Sequence, residues 1–543
     1  MTTMTTERRL AGSARAAGAG YASVPGDAGD GDDDSKALDD ALAVVGDFGL
    51  GQRVQYALAS LAWTVAAPMT LHSLYLTHTG DGGWRDEEGA VHSGAPPCDP
   101  GGPRVSSWLP FREFSLTTEY DLVCSRAAYR TLIDMSFWIG FILFLNVSGA
   151  LADRFGRRLV LCVVTACAGA SMLCVSLARG WPTAALFLGL TGAFNAGIGP
   201  CAVLLAVESS GARWRGTLGL GQKLFWSSGV IASAWVAWHV QSHLGWRVYT
   251  AAAAAPALAY ALAAAFFLAE SPRWLMTVGR YEDAEAVLTS IGRANGTLAA
   301  GDDRLYLRRR AGKPAAGEQR RAERESLWTV AGHPRLRRFL LLNSYLWFTT
   351  SALYYGLNFL LSEGSIKGNF YANVILYGGV EVVGAVIAIV SVDVFGRRSL
   401  LLFFLSQASL SLLFSGLTSS ASLQRSAAVL GKAGIAATFA LIFVFSSEMF
   451  PTSVRSSALG FCSTFARVGS LTAPLISSTS RTSRVLPFIV FGALGSLACL
   501  SSSFLPETLG KKLPNTCGDV PREAGGGAGV PASSSALPDA ARA

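Results

Sequence analysis

A set of charged residues occurs twice along the 543-residue chain, and the two copies are 240 residues apart. The first copy contains Asp153, Arg154, Arg157, Arg158, Glu208 and Arg215, and the second contains Asp393, Arg397, Arg398, Glu448 and Arg455. Because guanidinium groups form geometrically specific bidentate pairs with carboxylates, each copy can join neighbouring segments of the chain. A glycine within each DRFGRR or DVFGRR stretch permits a tight turn. The common spacing indicates two similar structural units.

The elements that position these charges are predicted to be membrane-spanning helices. The chain is 51% hydrophobic and only 15% charged, with a mean hydropathy of +0.37, whereas a soluble domain carries about 25% charged residues. A spanning helix needs about 20 mostly apolar residues. Twelve such segments lie near 54–76, 129–151, 159–179, 183–207, 217–239, 247–268, 338–361, 371–392, 399–418, 426–447, 456–478 and 486–505. The predicted fold class is an all-α polytopic membrane protein with two six-helix bundles.

The polar segments between the spans give the domain boundaries and an orientation. The predicted parts are a disordered tail at 1–50, a first bundle at 51–268 with an outer loop at 77–128, a central loop at 269–337, a second bundle at 338–505 and a tail at 506–543. The loop 77–128 has four arginines against eight acidic residues, whereas 269–337 is strongly basic. Basic loops stay in the cytoplasm. Both termini are therefore predicted to be cytoplasmic, in the plasma membrane or in an internal membrane such as the vacuolar one.

Several function classes find no support in the sequence. No nucleophile–base set, phosphate-binding glycine loop or metal-binding cluster of cysteine and histidine occurs, so neither an enzyme nor a cofactor or metal site is predicted. The net charge of +8 does not indicate nucleic-acid binding, because the basic residues are concentrated in loops. Cys98 and Cys124 both fall in the loop 77–128, where they either form a disulfide or stay reduced.

Two interpretations fit the repeated charges. They can form ion pairs that close one side of the protein in one state and break in another. Alternatively, the arginines only fix the topology. The first is favoured, because the repeated Asp and Glu residues would have no purpose in fixing the topology.

Longer motifs place these charges within a known family. The stretches are GALADRFGRR (149–158), VGDFG (45–49), TTEYDLVC (117–124), ESPRWL (270–275), GRYEDAEAVL (279–288), WFTTSALYYGLN (347–358), SSEMFPTSVRSSALG (446–460), FARVGSLTAPL (465–475) and LPETLGKKLPNT (505–516). Over about residues 42–517 the chain resembles the major facilitator superfamily, and more narrowly its organic ion transporters. It departs from the family at Ala269, where proline is usual, and in having only two outer-loop cysteines.

The resemblance implies a function and its partners. It implies the major facilitator fold, with a substrate site between two bundles that expose it alternately to either side. The expected activity is transport of a small organic ion, of the carnitine/zwitterion or organic cation type. Alternatives are an organic anion carrier, a sugar carrier and a non-transporting membrane sensor. A sugar carrier is disfavoured because the seventh span lacks a Gln-Gln pair. The expected partners are the solute, the lipid bilayer and a coupling ion, either a proton or sodium.

Two charged residues within the spans are candidates for binding the solute. Placing a charge there costs about 2.5–3.5 kcal/mol on insertion scales, so such residues usually face a cavity or a partner. Glu381 in the eighth span could attract a cation, and Arg467 in the eleventh could hold a carboxylate bidentately. Each could instead be paired within the protein. The resemblance associates arginine at position 467 with anion and carnitine carriers.

Other candidates are weaker. Tyr354, Tyr355 and Trp226 could hold a cationic head group by cation–π attraction, or could simply pack in the core. Asp134 could couple transport to a proton, or could be structural. Neither Glu381 nor Arg467 has a charged residue 240 positions earlier, where Phe141 and Ser227 stand. The repeated charges are thus expected to act as gates, and the unrepeated ones to mark the solute site.

Overall fold

The computed structural model describes residues 32–78, 84–92, 105–109, 111–211, 213–298, 327–451, 454–510, 517 and 520, without the side chains of 32–36 and 393. The helices of the first half are α1 (Asp32–Val45), α2 (Leu50–Thr70), α3 (His72–Thr77), α4 (Leu116–Glu119), α5 (Ala127–Phe155), α6 (Arg157–Ser176), α7 (Trp181–Glu208), α8 (Arg215–Phe267), α9 (Pro272–Thr277) and α10 (Tyr281–Asn295). Those of the second half are α11 (Leu327–Gly332), α12 (Pro334–Ser362), α13 (Phe370–Phe395), α14 (Arg397–Leu417), α15 (Ala421–Met449), α16 (Arg455–Ser478) and α17 (Leu486–Ser502).

The long helices correspond in position to the twelve predicted spans. Within the described ranges, nine helices are long and apolar enough to cross a membrane. One of them, α8, has 53 residues and is about 80 Å long, more than twice a bilayer core of about 30 Å. It is interrupted at Gly245, where φ is 84°, and so supplies the fifth and sixth spans. The seventh span, α12, is rich in polar residues, and the twelfth, α17, has only 17 residues.

These helices pack as two bundles. In the first, α5 and α6 pack on α7, and α2 packs on α8; in the second, α12 packs on α16, and α14 packs on α15 and α17. The two halves meet where α8 contacts α13 and where α5 contacts α16. We call the end that carries a small three-stranded sheet the sheet face, and the opposite end, which carries the repeated charges, the motif face.

The sheet lies in the segment between α3 and α5. Its strands are β1 (Trp84–Asp86), β2 (Val91–His92) and β3 (Val105–Trp108), in the antiparallel order β2-β1-β3. Cys124, which follows the sheet, is disulfide-bonded. Its predicted partner, Cys98, lies outside the described residues, so the pairing stays a prediction.

A carboxylate caps an equivalent helix in each half of the motif face. Gly156 connects α5 to α6, and Glu270 accepts hydrogen bonds from the first backbone N–H groups of α6, at 3.0 Å from Arg157 N and 3.1 Å from Arg158 N. In the second half, Glu507 accepts from Arg397 N at 3.0 Å and Arg398 N at 3.1 Å. A negative charge at a helix N-terminus satisfies unpaired donors and the helix dipole.

The environment of Glu507 has an electrostatic consequence. Burial alone would raise the pKa of its carboxyl group, but the N–H groups of Leu509, Thr508 and Arg397 outweigh burial and hold the pKa below its usual value. The folded protein therefore stabilises the charged form of the Glu507 carboxyl group. Its contribution to stability is present above the unfolded pKa of about 4.3 and is lost as the pH falls further.

The repeated arginines form a second layer of contacts behind each cap. In the first half Arg157 lies 3.2 Å from Asp153 and 3.6 Å from Glu208. In the second half Arg397 lies 3.1 Å from Glu448. The hydroxyl groups of Ser271 and Thr508 donate to Glu208 and Glu448, respectively. The two halves thus have the same hydrogen-bonding pattern, which extends the sequence repeat to the ESPR and PET motifs.

Each of these ion pairs of Arg157 and Arg397 joins residues of the same half. Arg158 and Arg398 donate to the backbone carbonyls of Ala265 and Ser503. Arg154 lies over the Phe155 ring, and Arg455 donates to Phe450 O at 3.4 Å. The side chain of Asp393 lies outside the described residues. A gating role for these residues stays a prediction.

The expected disordered tail at 1–50 is corrected where the structure describes it. Residues 32–45 form α1, and Leu38 and Leu42 are buried against α9 and α10. Asp39 of α1 forms ion pairs with Arg215 and, at 3.3 Å, with Arg273. Composition missed this helix, because its apolar residues occupy one face of a short segment. The described residues of the central loop likewise form three helices, α9, α10 and α11.

The capped turn gives a first prediction. At Gly156, where φ is 105°, an added Cβ would lie 2.4 Å from a Glu270 carboxylate oxygen. We expect Gly156→Ala to destabilise the protein by about 1–3 kcal/mol, because this backbone region is accessible mainly to glycine. Gly149 of α5 has no atom within 4 Å of an added Cβ, so Gly149→Ala should be neutral or stabilising. Thermal unfolding in detergent measures both, and equal shifts would contradict the capped-turn interpretation.

Candidate functional site

Glu381 lies at the centre of a buried polar cluster between the two halves. It projects from α13 of the second half, and 1% of its side chain is exposed. Ser227 of α8, in the first half, donates a hydrogen bond to its Oε2 at 3.3 Å. Because a charge is costly in this position, the partners of the carboxylate determine what it can bind.

Two lysines neutralise Glu381 from opposite halves. Lys432 of α15 lies 2.9 Å from Oε1 and is completely buried, whereas Lys223 of α8 lies 3.8 Å from Oε2 and has 16% of its side chain exposed. Glu381 is therefore paired within the protein, as one of the two interpretations of the sequence had it. The sequence signal for Lys432, missed above, is a lysine within a predicted apolar span.

Tyr354 of α12 contacts both lysines. Its hydroxyl accepts hydrogen bonds from Trp226 Nε1 at 2.7 Å and Lys223 Nζ at 3.2 Å, and its carbonyl accepts one from Lys432 Nζ at 3.1 Å. The two ammonium groups also lie 4.5 Å and 3.5 Å from the centre of its ring. The ring face attracts both cations, so Tyr354 holds them close to Glu381. Tyr354 and Trp226 thus bind the protein's own cations in this structure.

Arg467 of α16 lies next to the adjacent tyrosine. Its guanidinium carbon is 4.5 Å from the centre of the Phe141 ring, and the Tyr355 hydroxyl lies close to the guanidinium group. Within the described side chains no carboxylate pairs with it, and its Nε has no hydrogen-bond partner. Tyr355 in turn packs against Trp138, with ring centres 4.4 Å apart. Arg467 is therefore a partly buried cation with unused donors.

The positions that break the sequence repeat meet across the interface between the halves. Phe141, the repeat counterpart of Glu381, contacts Arg467, and Ser227, the counterpart of Arg467, bonds to Glu381. Glu381 thus lies next to the uncharged residue that corresponds to Arg467 in the repeat, and Arg467 lies next to the uncharged residue that corresponds to Glu381. The two charges do not form a salt bridge with one another in the described structure.

The cluster carries an excess of positive charge. Lys223, Lys432 and Arg467 are three cations, and Glu381 is the one carboxylate that pairs with any of them in the described structure. The formal charge is +2. Aromatic rings of Phe141, Trp138, Tyr355, Tyr354 and Phe439 lie around these groups.

Asp134 lies away from this cluster, near the sheet face. Its carboxylate accepts a hydrogen bond from Thr77 at 3.2 Å, and it is buried. One turn earlier on α5, Arg130 reaches across to the second half, where it lies 3.5 Å from Glu363 and donates to Ser362 O at 2.7 Å. These contacts connect the two halves at the sheet face.

A second arginine completes this connection. Arg481 of the second half lies 2.8 Å from Glu363 and donates to Ala127 O of the first half at 2.8 Å. Close to Arg130, the rings of His78 in the first half and Phe370 in the second half stack with centres 3.9 Å apart. We call Arg130, Asp134, Glu363 and Arg481 the sheet-face latch. The pairing could not be predicted from the sequence, because Arg130, Glu363 and Arg481 lie far apart in the chain.

Comparisons with known proteins agree with this architecture. The family description "Sugar (and other) transporter" matches residues 108–516. Solute carrier family 22 member 6 of Oryctolagus cuniculus is 32% identical over 428 residues, covering 78% of this chain and 76% of the relative. Organic cation/carnitine transporter 4 of Arabidopsis thaliana is 29% identical over 486 residues, covering 87% and 88%. The Organic cation transporter protein of Drosophila melanogaster is 30% identical over 419 residues, covering 75% and 74%.

Solved structures give the same fold. The proton:xylose symporter XylE bound to 6-bromo-6-deoxy-D-glucose superposes with a TM-score of 0.58 at 18% identity, covering 85% of this chain and 98% of that one. The inward open conformation of XylE from E. coli gives a TM-score of 0.59 with the same coverage. The predicted fold class, with two helix bundles in a membrane, is confirmed. The chain therefore belongs to the major facilitator superfamily, and within it to the organic ion transporters of solute carrier family 22.

Proposed function

We propose that the chain transports small organic anions, preferentially those with an aromatic or other apolar body. The observation that carries this proposal is the formal charge of +2 between the halves, with Arg467 unpaired and Glu381 shared by two lysines. A second cation placed among these groups would add to the repulsion, whereas an anion would offset it. The surrounding rings supply apolar contact for the rest of the solute.

This proposal departs from the carnitine or cation type that the sequence favoured. That expectation relied on Glu381 as a free carboxylate for a cationic head group. Lys432 and Lys223 occupy both carboxylate oxygens, so a quaternary ammonium would have to displace a buried lysine. A zwitterion remains the second candidate, because Arg467 could hold its carboxylate while Tyr355 and Trp138 contact its cationic end. The names of relatives include both cation and carnitine carriers.

Transport is proposed to occur by alternating access. In this structure the sheet-face latch connects the halves, and we propose that it closes the route from that face to Glu381. Moving the halves apart at the sheet face would separate Arg130 from Glu363 and open it. By the distribution of basic residues, the sheet face is proposed to point outward from the cell and the termini to lie in the cytoplasm.

A panel of four solutes tests the charge preference. Benzenesulfonate and phenyltrimethylammonium have the same ring and a permanent charge of opposite sign, so neither crosses a bilayer unaided. We expect proteoliposomes containing the protein to take up benzenesulfonate about tenfold faster or more than phenyltrimethylammonium, with carnitine between them and glucose at background. Preference for phenyltrimethylammonium would overturn the anion proposal, and uptake of glucose alone would indicate a sugar carrier. Binding without uptake would indicate a sensor.

A substitution at Arg467 tests its part in this preference. Charge-assisted hydrogen bonds contribute about 1.5–3 kcal/mol, so Arg467→Gln should weaken benzenesulfonate binding about tenfold or more and leave phenyltrimethylammonium binding unchanged or stronger. Arg425 is an exposed arginine in the same half, so Arg425→Gln is the control for net charge. If Arg467→Gln weakens both solutes equally, the residue is structural.

Spin labels test the sheet-face latch without any substrate. Tyr129 and Ser483 are exposed residues at this face, one in each half. With both replaced by labelled cysteines, Arg130→Gln should shift their distance distribution to longer values, because the inter-half ion pair is lost. Arg112 forms an ion pair with Asp121 within the first half, so Arg112→Gln is the control. Identical distributions in both variants would show that Arg130 does not hold the halves together.

A further inference from the structure

The two lysines around Glu381 differ in which half they belong to. Lys432 and Glu381 are both in the second half, on α15 and α13, at 2.9 Å with no side-chain exposure for the lysine. Lys223 is in the first half, on α8, and its separation from Glu381 is 3.8 Å. Hydrogen bonds of N–H groups to oxygen are about 2.7–3.2 Å long. The second pair is therefore a loose contact that crosses the interface, while the first is a tight contact within one half.

Movement of the halves affects these contacts unequally. The pair Lys432–Glu381 stays together in the second half and remains neutral. Lys223 loses its carboxylate and also its hydrogen bond to Tyr354, which belongs to the second half too. Among the described contacts of Lys223, the one within the first half is with the Trp226 ring, whose centre lies 5.6 Å from Nζ. An unpaired, partly buried ammonium is costly, so Lys223 requires another anion.

We propose that the anionic group of the substrate competes with Glu381 for Lys223. This inference rests on the proposed function, since it requires an anionic substrate. In the empty carrier Glu381 holds Lys223, and the substrate replaces it when it binds. Glu381 is then an internal competitor of the substrate rather than its ligand, and Lys223 is a substrate-binding residue of the first half. Arg467 supplies the corresponding cation from the second half.

The exchange leaves no charge unpaired. When the substrate takes Lys223, Glu381 keeps its tight contact with Lys432, so each carboxylate retains a cation. A bound anion that touches both Lys223 and Arg467 contacts both halves at once. Binding of the substrate therefore changes the principal ionic contact between the halves at the centre of the protein, from the loose Glu381–Lys223 pair to a bridge through the substrate.

The test removes the competitor without changing the net charge. Glu381→Gln combined with Lys432→Gln replaces one anion and one cation by neutral amides, so the net charge is unchanged and the completely buried Lys432 is not left without its carboxylate. We expect this double variant to bind benzenesulfonate about fivefold to tenfold more tightly than the unmodified protein, because Lys223 is free. The same two substitutions in a Lys223→Gln background should change the affinity less than about twofold, because no contested cation is left. Equilibrium binding to the purified full chain in nanodiscs measures all four proteins.

The outcomes separate the inference from the function on which it rests. If the unmodified protein binds phenyltrimethylammonium and not benzenesulfonate, the proposed function fails and the inference with it. If the unmodified protein binds benzenesulfonate but the double variant binds it equally or more weakly, the inference alone is overturned. A gain in affinity that persists in the Lys223→Gln background also overturns it, because the gain would then not pass through Lys223.

Discussion

The cost of an unpaired charge away from water constrains this structure throughout. Glycines, caps and helix lengths can vary in a membrane protein, but a carboxylate or ammonium between spanning helices must find a partner. In this chain most such groups do so within one half. Glu270 and Glu507 cap helices, and Arg157 and Arg397 pair with carboxylates beside them. Each bundle is thus close to electrostatically complete by itself, which allows the two to move as units.

The repeat distinguishes these structural charges from the others. Where both halves carry the same charge, as at Glu208 and Glu448, the partner is in the same half. Where only one half carries it, as at Glu381 and Arg467, the contacts cross the interface, and the uncharged counterparts Ser227 and Phe141 take part. A duplicated unit keeps what every copy needs for folding. Glu381 and Arg467, which one copy has alone, lie at the interface between the halves, where we propose that the solute binds.

The sequence predicted the parts that depend on local pattern. Hydropathy placed the spans, and the common spacing of 240 residues registered the two bundles. It also singled out Glu381, Arg467 and the tyrosines of α12, whose role in binding a solute stays a prediction. The sequence could not show which residues pair with Glu381, because Lys223 and Lys432 are 158 and 51 residues away from it along the chain. The preference for a carnitine/zwitterion or organic cation carrier relied in part on the Glu381 carboxylate considered without those partners, and our proposal differs because the two lysines pair with it.

The latch and the central cluster differ in how their charges divide when the halves separate. In the latch, Glu363 would stay with Arg481 in the second half, and Arg130 would stay with Asp134 on the same helix of the first. Each half would keep one cation and one anion, so opening the sheet face would leave no charged group without an opposite charge in its own half. In the central cluster, the second half keeps the Glu381–Lys432 pair and the unpaired Arg467, whereas the first half keeps only Lys223. Among the described residues, the latch would therefore stay paired in both states, whereas the central cluster would be completed by the anionic substrate that we propose.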